Sequence, residues 1–175
     1  WKIEEEEYEL DKPTVNESNY KYDMILSYSQ SDKDLCLRIY DELINDDFRV
    51  WIDREQASLM TMHEKSRIID ECEYFIVCVS ASYKRNSFCR CEAQYASQRQ
   101  HKIIPLIVWL DYRPDGWLNH LIAGKIYVDF VKTDFELAQM KLKNEVNRQR
   151  KYLKVTPKLN SMVLSKSTIE KSAKR

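Results

Sequence analysis

Cys89 and Cys91 flank Arg90 and run straight into Glu92, at the start of a stretch with helical spacing. A thiolate is stabilised at a helix start and beside a guanidinium, so the pair is a candidate for redox or metal chemistry. Cys-x-Cys alone does not make a zinc site, because no second ligand pair follows at matching spacing. Glu92 stands in the first turn, where the helix dipole favours a carboxylate by about 0.3–1 kcal/mol. His63, His101 and His120 form no triad-like arrangement with a nucleophile. The chain holds neither a GxSxG elbow nor a Walker pattern. Its two glycines argue against a Gly-rich phosphate loop.

These residues sit in a chain of 175, enough for one domain with tails. Lys+Arg and Asp+Glu are both 28, so there is no basic excess and no nucleic-acid partner is expected. No apolar run approaches the roughly 20 residues of a membrane span. Glu4, Glu5, Glu6 and Glu7 stand where a signal peptide needs positive and then apolar residues. With no initiator Met, the chain reads as a piece of something longer. The five cysteines are scattered through apparent helices and strands, which fits a reducing, cytoplasmic compartment. Residues 1–23 carry eight acids against three lysines, and residues 141–175 carry eleven bases against two acids. Such blocks are ordinarily solvated. Residues 1–19 therefore read as an acidic linker, 20–153 as the domain, and 154–175 as a basic flexible tail.

The middle alternates short apolar runs with amphipathic stretches. Tyr22 to Tyr28 is a nearly unbroken apolar run, as expected of a strand buried on both faces. Ser31 and Asp34 have capping-box spacing, and Leu35, Ile39 and Leu43 give the helix after them a buried stripe. Asn45-Asp46-Asp47 reads as its stop. Phe48–Ile52 reads as a second strand, and Asp53 to Thr61 as a polar, Met-containing loop. A helix with Ile68, Ile69 and Cys72 turned inward follows. Tyr74–Ser80 is the third strand and Ser82–Ser87 a polar turn. Phe88–Gln100 reads as a helix with Phe88, Cys91 and Tyr95 in one stripe at i, i+3 and i+7. Lys102–Trp109 is the fourth strand, with Pro105 awkward inside it because proline belongs at edges or bulges. Asp111–Gly124 reads as a loop, Lys125–Phe130 as the fifth strand, and Phe135, Ala138, Leu142 and Val146 mark a last helix. The alternation predicts an α/β, flavodoxin-like three-layer sandwich: a five-stranded parallel sheet with helices on both faces. Ligands of such sheets bind beyond the carboxyl ends of the strands, here after Tyr28, Ile52, Ser80 and Trp109.

Three stretches then point to a family. Tyr22-Asp23-Met24-Ile25-Leu26-Ser27-Tyr28-Ser29 precedes an acidic helix start. Val50-Trp51-Ile52-Asp53 opens a loop. Ser80-Ala81-Ser82-Tyr83 precedes Phe88-Cys89-Arg90-Cys91-Glu92. In order, spacing and strand context they resemble the Toll/interleukin-1 receptor (TIR) domain over roughly Tyr20 to Tyr152. The resemblance implies a signalling domain that self-associates through TIR–TIR contacts and binds other TIR-domain proteins. It also implies one of two modes of action. Some TIR domains are non-enzymatic scaffolds. Others, among them many proteins of innate immunity, hydrolyse NAD+ at the nicotinamide–ribose bond, and there a glutamate at the start of the third helix does the chemistry.

Glu92 matches that glutamate, with Phe88 one helical turn before it on the same face. Tyr28 and Ser29 follow the first strand, where enzymatic members line the NAD+ site. Asp53 and Met62 belong to the segment that shapes the pocket entrance. Some members carry an arginine after the tyrosine. Here Ser29 and Gln30 stand there, leaving Lys33, Lys84 and Arg85 as candidates for a phosphate contact. The loop after the second strand lacks the proline and glycine of many receptor members. Leu59, Met60 and Met62 either form an adaptable tip or begin the next helix. No cofactor and no metal are expected, and NAD+ is the candidate substrate. A response-regulator module shares the fold class but needs a phosphoacceptor Asp at the end of the third strand, where Ser80 stands.

Overall fold

The computed structural model describes residues 19–54 and 60–151. Residues 1–18 of the acidic linker and the whole basic tail lie outside the described residues, as does Leu59. Five strands form one parallel sheet in the order β2-β1-β3-β4-β5. They are β1 (Tyr22–Ser27), β2 (Val50–Ile52), β3 (Cys72–Val79), β4 (Lys102–Ile107) and β5 (Val128–Asp129). The helices are α1 (Lys33–Asn45), α2 (Met62–Asp70), α3 (Ala81–Arg85), α4 (Ser87–Gln98), α5 (Gly116–Ile122) and α6 (residues 135–151).

The sheet is covered on both faces because its inner strands are apolar on both. All eight residues of β3 are buried. Along β1, Met24 and Leu26 face one layer and Ile25 faces the other. Along β3, Tyr74, Ile76 and Cys78 alternate in the same way with Phe75, Val77 and Val79. This is the period-two pleat, and it lets one strand feed two cores. The first core takes Cys36, Ile39 and Leu43 from α1 and Ala138, Leu142 and Val146 from α6. The second takes Ile69 of α2, Tyr83 of α3, Cys89, Ala93 and Ala96 of α4, and Leu118 of α5.

Several local expectations change. Asp32, not Ser31, precedes α1, and no side chain caps that helix. The Asp32 carboxylate instead accepts a 2.6 Å hydrogen bond from Ser80 Oγ. Cys36 takes the buried place expected of Leu35, which is only half-buried. The expected stop of α1 holds, with Asp47 in the left-handed region at φ 63°, which a short polar side chain tolerates. The polar turn at Ser82–Ser87 is mostly α3, because Ser80 caps it by accepting from the Tyr83 amide. The 111–124 loop contains α5. The fifth strand shrinks to two residues, since Ile126 and Tyr127 are exposed rather than packed. Its pairing with β4 begins only at Leu106. Pro105 therefore lies where β4 has β3 alone as a strand partner, and its missing N–H leaves no β5 carbonyl unmatched.

Charge stitches the opposite edge of the sheet, where the strands begin. Arg150 of α6 donates to Asp23 (2.7 Å) and to Glu73 (2.7 Å). Lys102 donates to Glu73 at 2.7 Å, and Arg49 donates to Asp23 through both backbone and guanidinium. Burial pushes the Asp23 carboxyl up, but the hydrogen bonds from Arg49 and Arg150 outweigh it and hold it below the usual range. Its folded value is thus below the unfolded value of about 3.9. The stability it contributes is full above that pH and is lost as pH falls through the folded value. Arg150→Met should cost about 2 kcal/mol at neutral pH, because Asp23 and Glu73 each lose one charged donor while keeping Arg49 and Lys102. Asp23→Asn should flatten the acid limb of stability against pH below about 4. Urea melts across pH check both, and an unchanged acid limb in Asp23→Asn would contradict this account.

Candidate functional site

The carboxyl ends of β1 and β2 meet the start of α4 and the inner face of α2. Asn86 caps α4, its Oδ1 accepting from the amides of Phe88 (2.9 Å) and Cys89 (3.1 Å). The helix turns Cys89, Glu92, Ala93 and Ala96 inward. Small side chains at i, i+4 and i+7 let it lie close to the sheet, and that brings Glu92 to the end of β1. The expected stripe of Phe88, Cys91 and Tyr95 is corrected accordingly. Phe88 is 71% exposed, Cys91 is exposed, and Tyr95 is half-buried with its hydroxyl on Asp70. The thiol expectation changes with it. Burial first of all pushes Cys89 up to about 12, so it is a neutral S–H group, donating to the Tyr28 carbonyl.

Glu92 is only 6% exposed, and both of its oxygens are held. Oε2 accepts from Ser27 Oγ at 2.8 Å. Ser27 spends its one hydroxyl hydrogen there, so the Tyr83 hydroxyl, 2.8 Å away, donates to Ser27. Tyr83 is fully buried, and burial keeps its phenol protonated for that role. Oε1 accepts from Lys65 Nζ at 2.5 Å. The same ammonium lies 3.0 Å from Asp53 Oδ2. Burial works against the charge on Lys65, but Glu92 and Asp53 more than offset it and raise its pKa. The Tyr28 hydroxyl donates to the Asp53 carbonyl at 2.7 Å, tying the end of β1 to the residue after β2. Burial pushes Tyr28 up to about 12.

Lys65 was not among the residues singled out from sequence. Its signal is spacing: it lies four residues before Ile69 and seven before Cys72, on the face expected to be apolar. Thr61 sets that face. Its hydroxyl accepts from the Glu64 amide while the Glu64 carboxylate accepts from the Thr61 amide, a reciprocal cap that starts α2 at Met62. Met62 thus begins the helix, one of the two outcomes expected for it.

Tyr28, Asp53, Met62, Phe88 and Glu92 line one cleft, together with Lys65, Ser27 and Trp51. Ser29 is buried beyond it, at the start of the 3-10 turn Gln30–Asp32. Lys33, Lys84 and Arg85 do not line it either, and Lys84 pairs with Asp115. The free volume of the cleft is about 80 Å³. Small-molecule sites ordinarily offer about 300–1,000 Å³. A groove of about 670 Å³ lies at the ends of β4 and β5. It gathers no comparable set of convergent groups, and Lys132 and Asp111 on its wall pair with each other. Among the described residues no group of three or more His, Cys, Asp or Glu could hold a metal. No described helix is long and apolar enough to cross a membrane. Chemically, the cleft presents two carboxylates, Glu92 and Asp53, sharing one ammonium beside an aromatic wall.

The family model described as "TIR domain" matches residues 24–142. No curated protein sequence matches significantly. Among solved structures, the TIR domain of the Toll-related receptor TRR-2 from Hydra magnipapillata is similar at 18% identity and a TM-score of 0.57. That similarity covers 72% of this chain and 98% of the other. The TIR domains of the activated Roq1 resistosome, described as directly recognising the pathogen effector XopQ, are 18% identical with a TM-score of 0.45. There 76% of this chain and 78% of that chain are covered.

The hydroxyl of Ser27 links the buried Tyr83 phenol to the Glu92 carboxylate. Ser27→Ala should therefore cost about 2 kcal/mol, the value of a hydrogen bond to a charged buried group. Chemical denaturation measures it, and a change under about 0.5 kcal/mol, as for an ordinary surface substitution, would show that the bond does not hold the carboxylate.

Proposed function

Because this chain belongs to the TIR domain family and presents a buried carboxylate at its strand ends, we infer that it is a self-associating signalling domain that cleaves NAD+ to nicotinamide and ADP-ribose. The observation that carries this reading is Glu92, fixed through Oε2 by Ser27 beside the aromatic side chains of Tyr28, Trp51 and Phe88. The chemistry asks for little more. The C1′–N bond of NAD+ breaks with its electron pair moving onto the cationic nicotinamide ring, so the leaving group needs no proton. Positive charge develops on the ribose, as in the oxocarbenium-like states of glycoside cleavage. The Glu92 carboxylate stabilises that charge, a water oxygen bonds to C1′, and the water's proton is released. Phe88, largely exposed, offers a ring face to a base, and the buried Tyr28 closes the wall of the cleft. All five cysteines are unpaired, which supports a reducing, cytoplasmic setting. Clustering of neighbouring domains supplies the trigger, in an innate-immunity type of signal.

One observation favours a second reading, a non-enzymatic TIR scaffold that recruits other TIR proteins. The Glu92 carboxylate is ion-paired, and the cleft as folded is small. The two readings separate in one assay. Nicotinamide release from NAD+ is followed by chromatography for dilute protein and for protein concentrated on beads. Turnover should rise on clustering and fall by about 100-fold or more in Glu92→Gln, the loss typical of removing a key electrostatic contact. No turnover from folded, clustered protein would establish the scaffold reading instead.

A further inference from the structure

The geometry points to Lys65 as an internal latch, a cation built into the fold that holds the Glu92 carboxylate away from substrate until it swings aside. The inference rests on the NAD+-cleaving reading of the cleft. Glu92 has two oxygens, and in this structure each already accepts a hydrogen bond. Ser27 takes Oε2, and Lys65 takes Oε1 at 2.5 Å. A ribosyl cation arriving beside Glu92 would meet an ammonium already there, and like charges at contact distance repel. The Lys65 side chain is 15% exposed and lines the cleft, whose free volume is about 80 Å³.

A latch must also open without stranding its charge. Asp53 makes that feasible, because the Lys65 ammonium already lies 3.0 Å from its Oδ2. Lysine carries its charge on a flexible four-carbon stem, so the ammonium can leave Glu92 and keep Asp53. Both positions leave it paired, and a buried ammonium is tolerated only when paired. The contact thus has two low-cost arrangements, one closed on Glu92 and one open. Tyr28 anchors the Asp53 backbone, so the second partner keeps its place while the ammonium moves. The contact is a means of keeping an NAD+-consuming site silent in a dispersed domain.

The test compares the full chain with Lys65→Met, which keeps the length and packing of the stem and removes the charge. Lys65→Met leaves Asp53 and Glu92 facing each other, so Asp53→Asn/Lys65→Met serves as the second variant, and thermal melts establish which of them is folded. Two quantities are read, nicotinamide release and the dissociation constant of NAD+ by calorimetry. Removing a closed population raises apparent affinity and rate by the inverse of the open fraction, here roughly tenfold or more. Where wild type turns over, a rise of that size in the folded variant supports the latch, and a rate equal to or below wild type overturns it. Where no chain turns over even when clustered, the hydrolysis reading fails and affinity alone decides the latch. Tighter NAD+ binding in the variant then supports it, and equal or weaker binding overturns it.

Discussion

The ammonium of Lys65 lies within hydrogen-bond distance of both Glu92 and Asp53, and all three groups are largely removed from water. Breaking a buried pair by deleting one partner typically costs about 3–5 kcal/mol. That cost ties four pieces of the fold together at one point. α2 must carry Lys65 to the cleft, α4 must present Glu92, β1 must end at Ser27, and β2 must hand on to Asp53. The reciprocal cap at Thr61, the Asn86 cap of α4 and the Tyr28 bond to the Asp53 carbonyl each fix one of those arrivals. Local chemistry at three element ends thus converges on one charge cluster.

The two edges of the sheet divide the work. At the strand starts, Arg150, Arg49 and Lys102 bind Asp23 and Glu73 and tie α6 to the sheet. The carboxylates there are anchors, and Asp23 is held ionised. At the strand ends the charges face a cleft, and the ionic partner of Glu92 is a lysine shared with Asp53. Between the edges β3 is buried along its whole length, so neither face of the sheet can slide without disturbing a core. On the proposed latch, a rigid sheet with a movable ammonium at its mouth changes state without changing fold.

Much of this architecture is legible in the sequence because β1, β3 and β4 are continuous apolar runs with helical stretches between them. That pattern belongs to a parallel sheet, and the parallel order is found. The family resemblance is legible too, and residues 24–142 match the TIR model. What was hidden is tertiary. The sequence points to the wrong stripe of α4 because large Phe88 and Tyr95 outweigh small Ala93 and Ala96 in any hydrophobic count, while the sheet selects the small ones for close approach. Ile126 and Tyr127 look like strand residues and are exposed. Lys65 gave no sign beyond its place on an apolar face, since a buried lysine is explained only by the two acids that meet it, and those come from distant segments. Glu92, Tyr28, Asp53, Phe88 and Met62 do gather at one cleft, while Ser29 lies outside it.

On the proposed reading Glu92 acts on NAD+ and Lys65 restrains it. The most direct measurement is the initial rate of nicotinamide release from bead-clustered wild type, Lys65→Met, Glu92→Gln and the double variant, with folding checked in each. The account predicts that Lys65→Met exceeds wild type and that the double variant falls to the level of Glu92→Gln, because the gain passes entirely through that carboxylate. A gain that survives in the double variant, or no release from any of the folded chains, would contradict it.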